Sequence, residues 1–180
     1  MFEILLLSSL LGTVLAPVRA EEKMIAKQVL VDGSLEAVWE AWTTSKGLET
    51  FFGRQCRIEP RPEGALEIWF DPQAPPDQRG AEGLMVLAVE PRKMLSFTWS
   101  APPKWPAARR QRTSVVIRFK QVGVNQTRVR LFHSGWGEGE QWQHTFDYFT
   151  QAWDVVLTRL QHRFKHGPVD WENPPALSRP

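Results

Sequence analysis

"GWGEGEQWQHTFDYFTQAWDVVLTRLQHRF", residues Gly135 to Phe164, changes character after Gly139. From there Trp142, Phe146, Phe149, Trp153, Leu157, Leu160 and Phe164 recur every three or four residues, the period of an α-helix with one apolar face. Lys165, His166, Gly167 and Pro168 end the pattern. Each such side chain contributes roughly 1.5 to 3 kcal/mol when buried, so the stripe represents on the order of 10 to 20 kcal/mol gross. A helix of this kind needs a large apolar partner surface.

The partner lies upstream. Between Arg54 and His133 the period falls to two: Leu66, Ile68 and Phe70 alternate with Glu67 and Trp69, and Leu95, Phe97 and Trp99 alternate with Ser96 and Thr98. Thr113, Val115, Ile117 and Phe119 repeat the pattern, "VGVNQ" supplies a turn, and Val129, Leu131 and His133 complete it opposite Arg128 and Arg130. Consecutive half-buried strands with short turns predict an antiparallel meander. Further upstream, "MIAKQVLVDG" (Met24–Gly33) reads as a strand. "SLEAVWEAWT" (Ser34–Thr43) reads as a short helix capped by Ser34, and a second short helix runs through "SKGLETFF" to Gly53. "FDPQAPPDQRGAEG" and "SAPPKWPAARR" read as proline-rich loops at a sheet rim, because proline removes a ladder donor. "RRQR" (Arg109–Arg112) reads as the solvated start of a strand, and "PVDWENPPALSRP", residues 168–180, as an extended or disordered tail.

The glycine-rich link before the long helix stands where a phosphate cradle would sit. Its chemistry points elsewhere. Glu138 and Glu140 would each oppose a phosphate by about 4 kcal/mol at about 4 Å and an effective dielectric near 20, and neither a dinucleotide fingerprint nor a lysine-bearing phosphate loop is present. Phe132 and Trp136 occupy the positions where a nucleophile elbow around Ser134 needs glycine. The glycines are expected to let the chain reverse so that the helix folds back across the sheet.

Composition narrows the function further. A formal net charge of +2, with no sustained basic stripe, implies no nucleic-acid partner. Cys56 is the single cysteine, which excludes an internal disulfide and a cysteine-based zinc site. The histidines lack metalloprotease spacing, and no metal or other cofactor is expected. Residues 1–20 read as an export signal: "ILLLSSLLGTVLA" is too short to span a bilayer, and Val18 and Ala20 suit cleavage after Ala20. The expected product is a periplasmic or secreted protein without stable membrane insertion; translation from Met24 would instead leave it cytoplasmic.

"VDGSLEAVWEAWTTSKGLETFFG", "VEPRKMLSFTWSAPP" and "TRVRLFHSGWGEGEQWQHTFDYFTQAWDVVLTRL" resemble the START-like (SRPBCC) superfamily, in the branch similar to the C-terminal domain of heat-shock-chaperone ATPase activators. The resemblance implies an α+β helix-grip fold over residues 21–167. In that fold a curved antiparallel sheet of six or seven strands wraps a long C-terminal helix, and two short helices follow the first strand. Relatives implied by the match include lipid carriers, metabolite receptors, polyketide cyclases and chaperone co-factors, so fold alone does not choose a function.

Three readings stay open. The first is a binding module for a small hydrophobic or aromatic molecule, with Phe70, Phe97, Trp99, Val115, Leu131 and His133 on the sheet wall. Phe146, Phe149 and Trp153 would form the helix wall, and Phe51 and Phe52 would close the mouth. The second is a cyclase- or dehydratase-type enzyme in which His133 shuttles a proton. The third is a protein-partner module, a chaperone-ATPase-activator-like one included, docking through Trp69, Trp105, Trp136 and the proline-rich loops.

Overall fold

The computed structural model describes residues 23–175; the expected export signal lies outside them. Strand β1 (Ile25–Val31) leads into α1 (Leu35–Thr43), which Ser34 caps by accepting from the Ala37 N–H at 3.2 Å. Thr44 caps α2 (Ser45–Glu49) in the same way. The remaining strands are β2 (Gln55–Ile58), β3 (Ala65–Trp69), β4 (Gly80–Glu90), β5 (Met94–Trp99), β6 (Thr113–Gly123) and β7 (Gln126–Ser134). A short helix, α3 (Pro106–Arg109), interrupts the link from β5 to β6, and α4 (Glu140–His166) closes the fold.

All seven strands form one antiparallel sheet in the order β1-β7-β6-β5-β4-β3-β2. Its edges are β1 and β2, and an exposed edge invites pairing with another chain. Both are occupied here: Glu49 and Ser45 accept the Cys56 and Ile58 N–H groups of β2, while Gln161 of α4 donates to the Leu30 carbonyl of β1. The concave face carries Phe97, Ile117, Val129 and Leu131 against Phe149, Trp153, Leu157 and Leu160 of α4, all buried. The expected architecture, a curved sheet gripping the terminal helix, is present.

Local departures have local causes. Strand β3 ends at Trp69, so Phe70, expected to continue its inward parity, lies just beyond it at the rim, 44% exposed and 6.4 Å from the buried Phe52. "GAEG", expected within a loop, belongs to β4. A β-bulge there, with Gly83 in the left-handed region (φ +60°), turns both Ala81 and Glu82 inward. Arg109, expected at a solvated strand start, ends α3 instead.

The glycine-rich link does what its composition requires. Gly135 and Gly139 adopt φ of +85° and +100°, conformations a side chain would strain. A Cβ on Gly137 would run into the Trp142 indole. Residues 168–175 carry no helix or strand but are tied down: Val169 is buried and donates to the Thr50 carbonyl, and the Trp171 indole donates to the Glu49 carbonyl.

Candidate functional site

The two proline-rich loops, residues 70–79 and 100–105, rise at one end of the sheet and hold apart what the core elsewhere packs together. Between them and α4 lies a cleft of about 230 Å³. Its inner wall is aromatic. Phe52 stacks on Trp99 (centroids 5.6 Å, planes 18° apart), Trp99 lies 5.2 Å from Trp153, and Phe149 stacks beside Trp153 at 6.2 Å. Ala152 and Val156 of α4 extend the wall, and Phe70 and Tyr148 stand at the rim. Polar groups gather at the mouth: Asp71, Gln78, Arg79, Ser100 and Arg109.

Arg109 ties the mouth together. Its guanidinium donates to Ser100 Oγ and the Ala101 carbonyl on one loop, and to the Asp77 and Gly80 carbonyls at 3.0 and 3.1 Å on the other. Burial, reinforced by Arg112 nearby, draws its pKa below the ordinary arginine value. Arg79 is likewise committed, bonded at 2.7 Å to the buried Glu82 carboxylate and lying 4.3 Å over the Trp69 ring. Neither cation is left to pair with a guest. The buried Trp99 indole N–H, by contrast, has no acceptor among the described residues.

His133 points inward as its strand parity predicts, yet it does not reach the cleft, which corrects its expected place on the ligand wall. The ring is fully buried behind Trp153 and Phe149. Trp153 Nε1 donates to His133 Nδ1 at 2.9 Å, and since an indole nitrogen can only donate, Nδ1 carries no proton. Nε2 then holds the hydrogen and donates to Thr113 Oγ1 at 2.7 Å, whose hydroxyl donates to the Trp99 carbonyl. Burial drives the imidazole pKa down to about 3, so the ring is neutral at physiological pH. With both nitrogens engaged and no path to the cleft, His133 is a structural bracket between β7 and α4, and the geometry gives the proton-shuttle reading no support.

Of the eleven residues expected on the walls and at the mouth, Phe52, Phe70, Trp99, Phe149 and Trp153 meet at the cleft. Phe97, Val115 and Leu131 are buried in the packed core, and Phe146 packs half-buried on Trp136. Phe51 is also core, stacked behind Phe52 rather than closing the mouth. Parity places a side chain on a face; it does not reveal that a neighbouring ring stands in front of it. Ala152 and Val156 were missed although they follow Phe149 at three and seven residues, the spacing of its own helix face. Arg109 had no sequence signal, because its partners are mostly carbonyls on separate loops.

The three tryptophans expected to form a docking surface are each packed against other side chains, Trp105 and Trp136 on the same cluster of Ala101, Ala108 and Trp142. Trp136 packs 4.1 Å from the His133 ring, Trp69 lies under Arg79, and Trp105 packs edge-on to Tyr148. Cys56 is buried, and its thiol pKa is raised to about 12 by burial with the Glu49 charge adding to it, which leaves it inert. No group of three metal-ligating side chains occurs among the described residues, and no helix there is long and apolar enough to cross a membrane.

The curved seven-stranded sheet, the clasped terminal helix and the cleft between them define a START-like α+β domain. Within that class the chain belongs to the family described as "Activator of Hsp90 ATPase homolog 1-like protein", which matches residues 32–165. Solved structures share the fold. Protein MLL2253 from Mesorhizobium loti is similar at 20% identity over 82% of this chain and 100% of that one, with a TM-score of 0.64. The Aha1 dimer from Colwellia psychrerythraea matches at 20% identity over 81% and 98%, with a TM-score of 0.62. DynU16, described as a putative protein in the dynemicin biosynthetic locus, matches at 19% identity with a TM-score of 0.61. That match covers 82% of this chain, which spans only 49% of DynU16. No curated protein matches the chain.

Proposed function

We propose that this chain is an exported binding protein that holds a small, largely apolar aromatic molecule in the cleft between the sheet and α4. The observation that carries this reading is the hollow itself: about 230 Å³ beside four buried aromatic rings that pack on one another yet leave one side open. A dry apolar cavity of about 150 Å³ accepts benzene, so this volume suits a guest of one or two rings. The committed Arg79 and Arg109 favour a neutral guest over an anion.

Native mass spectrometry of gently purified protein, followed by denaturing extraction, tests the reading. A co-purifying neutral aromatic of this size, or quenching of tryptophan emission on adding one, is expected. An empty cleft that no member of a broad aromatic and lipid library fills would overturn it. Sequencing the N-terminus of the purified protein tests the export part: a first residue at Glu21 is expected, and a start at Met24 would refute it. A second reading, a protein-docking module, draws on the family match and on the Aha1 dimer among the similar structures.

A further inference from the structure

The face of the sheet turned away from α4 carries a charge arrangement that does nothing for the fold. In the β6–β7 ladder Arg118 stands directly opposite Arg130, and Lys120 opposite Arg128. Their neighbours Ile117, Phe119, Val129 and Leu131 face the core, so all four cations share the outer face. Like charges directly opposite each other on a ladder are destabilising. Among the described residues none of the four has an acidic partner. Glu90, in the same row as Arg118, is held by Lys93 at 2.6 Å. The whole chain carries only +2, so four uncompensated cations on one face leave the rest of the molecule net negative.

The same hairpin ends in exposed apolar residues. Val124, in the turn, is 87% exposed, Val122 is exposed beside it, and Leu30 is exposed next to Arg128 on β1. A hairpin tip with apolar side chains, followed inward by two rows of cations, matches the layering of an anionic bilayer surface: apolar below the headgroups, negative at their level. Nucleic acid would use the cations and leave the valines in water. An acidic peptide would likewise pair with the cations and leave Val122 and Val124 in water.

We propose that the β6–β7 hairpin docks the protein peripherally on an anionic lipid surface, with Val122 and Val124 entering the headgroup layer and Arg118, Lys120, Arg128 and Arg130 pairing with lipid phosphates. The proposal is independent of the cleft. One of the cleft's loops lies between the Trp99 end of β5 and the Thr113 end of β6, whereas the tip follows Gly123 at the far end of the same eleven-residue strand. At roughly 3.4 Å per residue the two are on the order of 35 Å apart, so docking tethers the protein with its mouth directed away from the lipid.

Co-sedimentation of the chain with vesicles of phosphatidylcholine and phosphatidylglycerol in equal parts, against pure phosphatidylcholine, is the test. Binding is expected only to the anionic vesicles and is expected to collapse in 1 M salt, where the screening length falls to about 3 Å. Arg118→Gln with Arg130→Gln should weaken it about thirtyfold, taking about 1 kcal/mol per cation near such a surface. Val124→Ser should weaken it roughly tenfold; this side chain is too exposed for the change to disturb folding, which an unchanged Tm checks. Absence of binding to anionic vesicles would overturn the proposal. So would binding to both vesicle types untouched by these variants, or equal affinity for a DNA duplex or polyglutamate.

Discussion

Trp153 stands between two regions built from the same kinds of residue, one filled and one hollow. On one side its indole N–H is bonded to His133 in a buried chain that runs through Thr113 to the Trp99 carbonyl. On the other its ring meets Phe52, Trp99 and Phe149 at the wall of the cleft. Aromatic content does not distinguish them. On the His133 side, polar atoms are matched one to one and Trp136 closes the space. On the cleft side, two proline-rich loops held by Arg109 keep the rim from collapsing. A hollow in an aromatic core persists when its rim is fixed by contacts that do not depend on filling it.

Trp153 belongs to both regions, so its loss is felt in both. Trp153→Ala should cost about 3 to 5 kcal/mol in urea unfolding, as buried tryptophan truncations do, and should abolish binding of an aromatic guest. A loss under about 1 kcal/mol would mean that the helix is not clasped as described.

Acid strikes the filled side alone. Because burial lowers the His133 pKa to about 3, the folded protein holds the ring neutral while the unfolded chain protonates it near 6.5. The contribution of this group is therefore complete above pH 6.5 and is lost as pH falls toward 3. Stability should decline by up to about 1.4 kcal/mol per pH unit across that window, or about 2 kcal/mol by pH 5. Denaturant titrations at a series of pH values check this, and His133→Gln should flatten the slope attributable to this site.

Arg109→Ala acts on the rim. Losing its clasp across both loops should cost about 1 to 2 kcal/mol and weaken guest binding through a loosened mouth, with the pH dependence of stability unchanged. Calorimetric binding of the guest found by mass spectrometry, beside a thermal melt, separates the two effects. The smallest stability change is the sharpest test of hollowness. Ala152→Leu places extra methyl groups in the cleft and should shift stability by no more than about 0.5 kcal/mol, yet it should exclude the guest. A destabilisation of several kcal/mol would show that no room existed there.

Helical and strand periods carried the architecture because each element buries one face, and a buried face writes its period into the chain. The stripe from Trp142 to Phe164 and the alternation around Leu66, Leu95, Ile117 and Leu131 therefore located α4 and most of the sheet. Five of the eleven expected wall and mouth residues reached the cleft, and those that did not fell behind other rings rather than on the wrong face. Phe70 reached the cleft from beyond the end of β3: a strand end is set by the loop that follows it, and alternation does not announce its own last residue. The bulge at Gly83 was equally silent, since one extra residue changes which side chains turn inward without changing which residues are apolar.

What the sequence determined alone is the order of elements, the face each buries and the hinge at Gly135–Gly139, because these follow from local backbone preference and apolar spacing. Tertiary structure decided where the core is solid and where it is open. That depends on side chains distant in the chain, Trp153 with His133 and Arg109 with the carbonyls of two loops, and hydrogen bonds across such separations leave no periodic trace.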